Sequence, residues 1–221
     1  MNDCTSGRSI PNNQELDYEM RLWQEGYVNV AGVDEAGRGS LVGSVVAAAV
    51  VLPQGPFIDG VRDSKALSAK RREVLYEIIM DTALACGIGV VDETIIDRIN
   101  IRQATRLAMR LAVEDLGVTA DHLLVDAEVI PVTIPQTRII HGDAICHSIS
   151  AASILAKVTR DRMCKLWHDK YPEYNISANK GYCTSQHLEA LIAHGPCPIH
   201  RKSFIEKLLQ RQLSLNFDPD M

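Results

Sequence analysis

Two adjacent carboxylates, Asp34 and Glu35, come directly after a short apolar segment, 30–33, and a glycine-arginine-glycine turn, 37–39, follows them. Such a segment is typical of a buried strand, and charges beside a strand core are costly unless something compensates them. Carboxylate oxygens suit Mg²⁺ or Mn²⁺, and glycines let a ligand approach the backbone because they lack a Cβ. The stretch predicts a metal-dependent phosphodiester site with a slot for a sugar, although a plain turn with a helix cap has the same pattern.

Two more carboxylates are placed where they could join this site. Asp126 ends a second apolar segment, 122–125. Open α/β sheets bind ligands at the carboxyl ends of their strands, so Asp126 can meet Asp34 if the two strands are parallel neighbours. Asp161 lies in a later helix, about 60° from the centre of its apolar stripe. We expect Asp161 to be partly buried, with either an ion pair to Lys157 or a metal contact.

Hydrophobic periodicity predicts the elements that must position these residues. Strands are expected over 27–34, 42–52, 86–91, 122–127 and 134–141, with the first two paired as a hairpin. Helices are expected over 16–25, after an N-cap at Ser68, over 103–116, from an N-cap at Asp143 through residue 161, after an N-cap at Thr184 or Ser185, and over 204–213. The helix after Ser68 is expected to bury one face, formed by Val74, Leu75, Ile78 and Ile79.

Composition places the chain among soluble globular proteins. Its 221 residues are 46% hydrophobic and 23% charged, which suits one domain with a small appendage. Six scattered cysteines without a CxxC pair favour a reduced, cytoplasmic chain. The sequence has no signal-peptide pattern and no run of 18 apolar residues, so we expect neither secretion nor a membrane span.

Charge restricts how nucleic acid could be bound. The net charge of −5 argues against a broadly basic nucleic-acid binder, so phosphate contacts must come from local basic residues. The candidate phosphate contacts are Lys65, Lys180, Arg201 and Lys202.

The C-terminal quarter offers two further candidates. Tyr182 follows a lysine and a glycine in the loop 179–182, where it can stack on a sugar or base or, alternatively, fill the core. Four possible zinc ligands also lie close in sequence, but the spacing Cys-x3-His-x9-Cys-x2-His matches no common zinc pattern; they are Cys183, His187, Cys197 and His200.

Longer segments of the sequence resemble the bacterial ribonuclease HII family, from about Trp23 to Leu209. The matching segments are GVDEAGRG (32–39), VVAAAVVL (45–52), DSKALS (63–68), VDA (125–127), AASILAKVTRDRM (151–163), NKGYCT (179–184) and PIHRKSF (198–204). The resemblance implies a ribonuclease H-like fold, a central mixed β-sheet flanked by helices with a C-terminal helical extension. Residues 15–170 would form the catalytic domain and 171–221 a helical part completing the substrate groove, with 1–14 as a disordered lead-in.

The resemblance also implies an activity and assigns residues to it. The family hydrolyses RNA in RNA·DNA hybrids endonucleolytically, including single ribonucleotides in duplex DNA, and leaves 5′-phosphate and 3′-hydroxyl ends. It would bind Mn²⁺ or Mg²⁺ through Asp34, Glu35, Asp126 and Asp161. The backbone of Gly37, Arg38 and Gly39 would contact the ribose 2′-hydroxyl, and Tyr182 would lie at the RNA–DNA junction. We expect a cytoplasmic monomer with a role in removing ribonucleotides from DNA during repair and replication.

Some positions depart from the family pattern, and two other functions stay open. Ser40 and Ser44 stand where family members usually have proline, which is expected to loosen the turn that follows residue 39. Cys183 replaces the usual glycine or proline after the tyrosine. A related metal nuclease acting on DNA, or a non-catalytic hybrid-binding module, are the alternatives.

Overall fold

The computed structural model describes residues 17–55, 57–61 and 67–215. The disordered lead-in expected over 1–14, and Lys65, lie outside these ranges. The chain forms α1 (Asp17–Gln24), β1 (Val30–Ala36), β2 (Val45–Val51), α2 (Ala69–Thr82), β3 (Ala85–Val91), α3 (Glu93–Ile99), α4 (Ile101–Glu114), β4 (His122–Asp126), β5 (Gln136–Ile139), α5 (Gly142–Ile145), α6 (His147–Lys170), a 3-10 helix (Pro172–Tyr174), α7 (Ile176–Asn179), α8 (Ser185–His194) and α9 (Lys202–Leu215).

A mixed five-stranded sheet lies at the centre, with strand order β3-β2-β1-β4-β5. The first three strands are antiparallel neighbours, which confirms the predicted hairpin. β4 runs parallel to both β1 and β5, and Val33 is the register partner of Val125. Because β1 and β4 are parallel neighbours in this register, Asp34 and Asp126 lie side by side where the strands end.

Small residues in the sheet let the helices lie close to it on both faces. Alternate residues of β2 belong to two different clusters, one containing residues of α4 and the other residues of α2 and α6. A Cβ at Gly89 of β3 would collide with the backbone of Ala108 in α4, and one at Gly32 of β1 would collide with the backbone of Ser148 in α6. Direct backbone contact therefore fixes α6 against the strand that carries Asp34.

The start of α6 differs from the prediction. Asp143 was expected to be its N-cap, which is wrong: Asp143 lies in the short α5, and α6 begins only after Cys146, whose backbone is extended (φ −132°, ψ 122°). The carboxylate of Glu19 in α1 accepts hydrogen bonds from the backbone N–H and the hydroxyl of Ser148, at 2.8 and 2.7 Å. The hydrogen-bond acceptor for the first turn of α6 therefore comes from α1, which is distant in the sequence, so the residues next to α6 do not reveal it.

One further helix prediction is confirmed, one needs correction, and one helix of the structure was not predicted. Ser68 caps α2 as predicted, because its hydroxyl accepts a hydrogen bond from the N–H of Arg71. The buried face of α2 is narrower than predicted, since Leu75 and Ile79 are fully buried while Val74 and Ile78 are exposed. The helix α3, which begins after its N-cap Asp92, was not predicted at all.

The C-terminal elements pack on the segment that follows the turn 37–39. Leu41 and Val42 share an apolar cluster with Tyr174, Ile176 and Ala190. An isolated β-bridge also joins Val42 to His200. Within the described ranges, none of the helices has the length and apolarity needed to cross a bilayer.

Candidate active site

Three of the four predicted carboxylates line one pocket at the end of the parallel strands. The pocket has a volume of about 220 Å³. Asp34 and Glu35 reach it from β1 and Asp126 from the end of β4. The remaining lining residues are Ala36, Gly37, Arg38, Gly39, Ser153, Lys157 and Tyr182.

The surroundings of Asp34 disfavour the charged form of its carboxyl group. Burial raises the pKa of Asp34 well above its usual value, and the nearby charges of Glu35 and Asp126 raise it further. Hydrogen bonds from Ser153 and from the N–H of Glu35, the latter 2.7 Å from Asp34 Oδ1, oppose the shift only in part. Burial also raises the pKa of Glu35, although the guanidinium of Arg38 opposes it.

Asp126 and Arg38 are held in place by contacts at the rim of the pocket. The Oδ1 of Asp126 accepts a hydrogen bond from the N–H of Gly142 at 2.7 Å. The guanidinium of Arg38 lies between Glu35, at 3.4 Å, and the buried Glu128, at 3.0 Å. Arg106 also binds Glu128, at 3.0 Å, so Arg38 is one of several cations around this carboxylate.

Asp161 lies in α6 and is buried, somewhat more fully than the partial burial expected from helix geometry. Its Oδ1 pairs with Lys157 Nζ at 2.8 Å, and Arg72 lies 3.9 Å from its Oδ2. Lys157 lines the acidic pocket, whereas Asp161 is not among the lining residues. Three of the four predicted carboxylates therefore line one pocket, and the fourth, Asp161, is paired with two cations beside it.

The donor chemistry suits a hard divalent cation. Within the described ranges, no three His, Cys, Asp or Glu side chains are already arranged to hold a metal ion. The predicted ligands nevertheless offer only carboxylate oxygens, which Mg²⁺ and Mn²⁺ prefer. Burial, followed by the charges of Glu35 and Asp126, raises the pKa of Asp34, and a bound cation would favour the ionised carboxylate instead.

The two glycines of the turn, Gly37 and Gly39, lack a side chain for different structural reasons. Gly37 has a φ of +90°, and a Cβ there would collide with the side chain of Arg160. A Cβ on Gly39 would meet Tyr182 Cε1 at 3.7 Å, an ordinary contact. Gly37 is therefore required by the backbone conformation, whereas Gly39 keeps the space in front of Tyr182 open.

Arg201 was predicted to be a phosphate contact, and the structure corrects this. Its side chain is fully buried and donates to the carbonyl oxygens of Gly37, Arg38 and Gly43 at 2.8, 3.1 and 2.9 Å. Burial lowers the pKa of Arg201 to about 9. Because a trans peptide points its N–H opposite to its carbonyl, this anchoring turns the N–H groups of Arg38 and Gly39 away from the buried guanidinium.

The other basic candidates lie in different surroundings. Lys180 is partly buried and its Nζ donates to the carbonyl of Ser177 at 2.6 Å. Lys202 is exposed but lines a separate pocket with Pro198 and Ile205, so it does not border the acidic site. Tyr182 is 42% exposed and lines the acidic pocket, which contradicts the core-filling alternative.

The sequence pattern did not reveal the second buried arginine, Arg160, because the segment around it appears as an ordinary amphipathic helix.

The two histidines of the Cys-x3-His-x9-Cys-x2-His segment form a buried pair, with His187 Nε2 3.1 Å from His200 Nε2. His200 Nδ1 lies 3.1 Å from the Sγ of Cys197, and Cys183 is exposed. This pair supports α8 instead of facing the acidic pocket.

A mixed five-stranded sheet flanked by helices, with carboxylates at the ends of neighbouring parallel strands, is the arrangement expected of a ribonuclease H-like nuclease. Residues 31–207 match the model of the ribonuclease HII family. A ribonuclease HII of Alkaliphilus oremlandii is 54% identical over 88% of this chain and 98% of its own length. A ribonuclease HII of Bacillus subtilis is 52% identical over 85% of this chain and 73% of its own length. The crystal structure of ribonuclease H2 from Pyrococcus horikoshii superposes with a TM-score of 0.70 at 28% identity, over 83% of this chain and 98% of that one.

The chain therefore belongs to the ribonuclease HII family and is a type II ribonuclease H, an endonuclease. Enzymes of this family act on nucleic acid and depend on divalent metal ions.

Proposed function

We propose that this chain hydrolyses the RNA strand of RNA·DNA hybrids and cuts at single ribonucleotides embedded in duplex DNA, leaving 5′-phosphate and 3′-hydroxyl ends. The observation that carries the proposal is one pocket containing three carboxylates, the glycine-arginine-glycine turn and an exposed tyrosine. These are the groups needed to bind metal, to recognise a ribose and to stack on the adjacent nucleotide.

Asp34, Glu35, Asp126 and Asp161 would hold Mn²⁺ or Mg²⁺. The ions, when bound, would supply Lewis-acid stabilisation of the charge at the phosphodiester and activate water. Asp34, the most buried of the four, is the central ligand in this proposal. The cations of Lys157 and Arg38 now contact Asp161 and Glu35, respectively, and would be available for phosphate once metal satisfies those carboxylates.

Recognition of RNA must come from the 2′-hydroxyl, because this group alone distinguishes ribose from deoxyribose locally. The N–H groups of Arg38 and Gly39 are suited to bind it, since Arg201 holds the carbonyl oxygens of Gly37 and Arg38 on the opposite side. The exposed side chain of Tyr182 would stack on the neighbouring deoxyribonucleotide.

Phosphate binding would be local, as the net charge of −5 requires. Lys180 and Lys65 remain proposed phosphate contacts, and Lys202 is proposed only for a more distant part of the duplex. We further propose that residues 171–221 complete the substrate groove and that the enzyme acts as a cytoplasmic monomer.

The deciding experiment compares three duplexes: one with a single ribonucleotide, an all-DNA control of the same sequence, and a long RNA·DNA hybrid. Each is incubated with Mg²⁺, with Mn²⁺ and with EDTA. Cleavage of the first and third duplexes only when metal is present supports the proposal. Equal cleavage of the all-DNA control would favour a DNA nuclease, and binding without cleavage in either metal would favour a hybrid-binding module. Asp126→Asn, which keeps the side-chain size, should abolish cleavage.

A further inference from the structure

The two segments proposed to recognise substrate, the turn 37–39 and the loop around Tyr182, meet behind the pocket at one side chain. Ser40 is fully buried. Its hydroxyl donates to the carbonyl of Lys180 at 3.1 Å and accepts from the Nη2 of Arg160 at 2.7 Å. The backbone N–H of Leu41 also donates to the carbonyl of Gly181 at 2.8 Å. Segments some 140 residues apart in sequence are thus joined directly.

Arg160 binds both segments with one rigid group. Its Nη1 donates to the carbonyl of Lys180 at 2.9 Å, while Nη2 reaches Ser40 and the carbonyl of Val42, the latter at 3.3 Å. Its Nε donates to the carbonyl of Ser44 at 3.2 Å. A guanidinium is planar and presents its donors in a fixed fork, so the two segments cannot move independently while these bonds hold.

The packing around this junction has no spare room. A Cβ on Gly181 would come within 2.5 Å of both Ser40 Oγ and a methyl group of Val42. On the pocket side, a Cβ on Gly39 would already touch the ring of Tyr182. A change at Ser40 is therefore expected to alter the separation between the turn and the tyrosine.

We propose that Ser40 is a positioning residue that sets the preference for an RNA–DNA junction by fixing the spacing between the turn 37–39 and Tyr182. This inference rests on the proposed function, in which the turn contacts one ribose and Tyr182 stacks on the next, deoxy, nucleotide. A fixed spacing favours the substrate in which these two features are adjacent, a single ribonucleotide followed by DNA. The expectation that serine loosens the turn is thereby reversed, because this serine forms a link that proline, lacking a hydroxyl, cannot form.

The test uses Ser40→Ala, with Ser44→Ala as the matched control. Ser44 lies in the same loop and contributes its carbonyl to Arg160, which the truncation keeps. A lost hydrogen bond corresponds to a change of about fivefold. We expect the ratio of cleavage at a single ribonucleotide to cleavage of a long hybrid to fall by about that factor in Ser40→Ala and to stay unchanged in the control. In a Tyr182→Ala background, Ser40→Ala should change the ratio no further. An equal loss on both substrates, or an undiminished effect in that background, would overturn the inference.

A second measurement does not depend on catalysis. Hydrogen exchange at the amide of Leu41 reports its bond to Gly181, and exchange should be faster in Ser40→Ala than in wild type or Ser44→Ala. Unchanged exchange would overturn the coupling of the two segments. Wild-type enzyme that fails to cut the single-ribonucleotide duplex would refute the proposed function instead, and the exchange data would still decide whether the segments are coupled.

Discussion

Replacing Gly37 by alanine should destabilise the protein through the loop that borders the acidic pocket. The φ of +90° at this position disfavours any residue with a Cβ, at a cost of about 1–2 kcal/mol. The new methyl would also collide with the buried side chain of Arg160. Moving that guanidinium weakens its bonds to Ser40, Lys180 and Ser44, each contributing about 1 kcal/mol.

We therefore expect Gly37→Ala to lower the free energy of unfolding by about 3 kcal/mol, which corresponds to about 6–12 °C in Tm for a chain of this size. Thermal unfolding followed by circular dichroism measures the shift, and cleavage of a single-ribonucleotide duplex is measured well below the new Tm. The matched variant is Gly39→Val, whose added atoms project toward Tyr182 instead of into the core. It should keep nearly the wild-type Tm and lose cleavage. An unchanged Tm for Gly37→Ala would refute the reasoning, and retained activity in Gly39→Val would refute the slot.

Three further predictions follow from the site. The folded, metal-free protein holds the Asp34 proton to higher pH than the unfolded chain, whose usual pKa is 3.8, so metal-free stability should fall as pH rises above that value. Metal must displace this proton, so Mn²⁺ affinity measured by calorimetry should rise from pH 5.5 to 8, and a flat profile would contradict the assignment. Tyr182→Ala should reduce single-ribonucleotide cleavage about five- to 150-fold more than hybrid cleavage, since stacking is worth about 1–3 kcal/mol; equal losses would exclude a junction role. Arg201→Gln should leave the salt dependence of hybrid binding unchanged, because the buried charge that it removes does not contact phosphate, whereas Lys180→Ala should reduce the slope by about 1 if it contacts phosphate; a reduced slope for Arg201→Gln would mean that the buried side chain reaches substrate.

The sequence predicted the central part of the fold because that part depends on local patterns. Two apolar segments that end in carboxylates indicated β1 and β4, and their parallel pairing brings Asp34 and Asp126 together as expected. Helical periodicity alone placed Asp161 at the edge of its buried face, with Lys157 as a partner.

The errors share a physical cause, which is dependence on contacts that are distant in the chain. Arg201 lies in a run of basic residues and appears exposed, but backbone carbonyls 158 to 164 residues away surround it. Asp143 has the residue type of an N-cap, yet Glu19 of α1 contacts the start of α6 instead. The narrow buried face of α2 likewise depends on how that helix meets α6.

The absence of a side chain at Gly32 has a consequence for the whole acidic pocket. α6 carries Ser153, Lys157, Arg160 and Asp161, and this helix lies directly on the backbone of β1 at that glycine. One methyl group inserted there would act as a wedge and lift all four side chains together, away from Asp34. The depth of the acidic pocket is in this sense determined two residues before its first carboxylate, at a glycine that does not itself line the pocket.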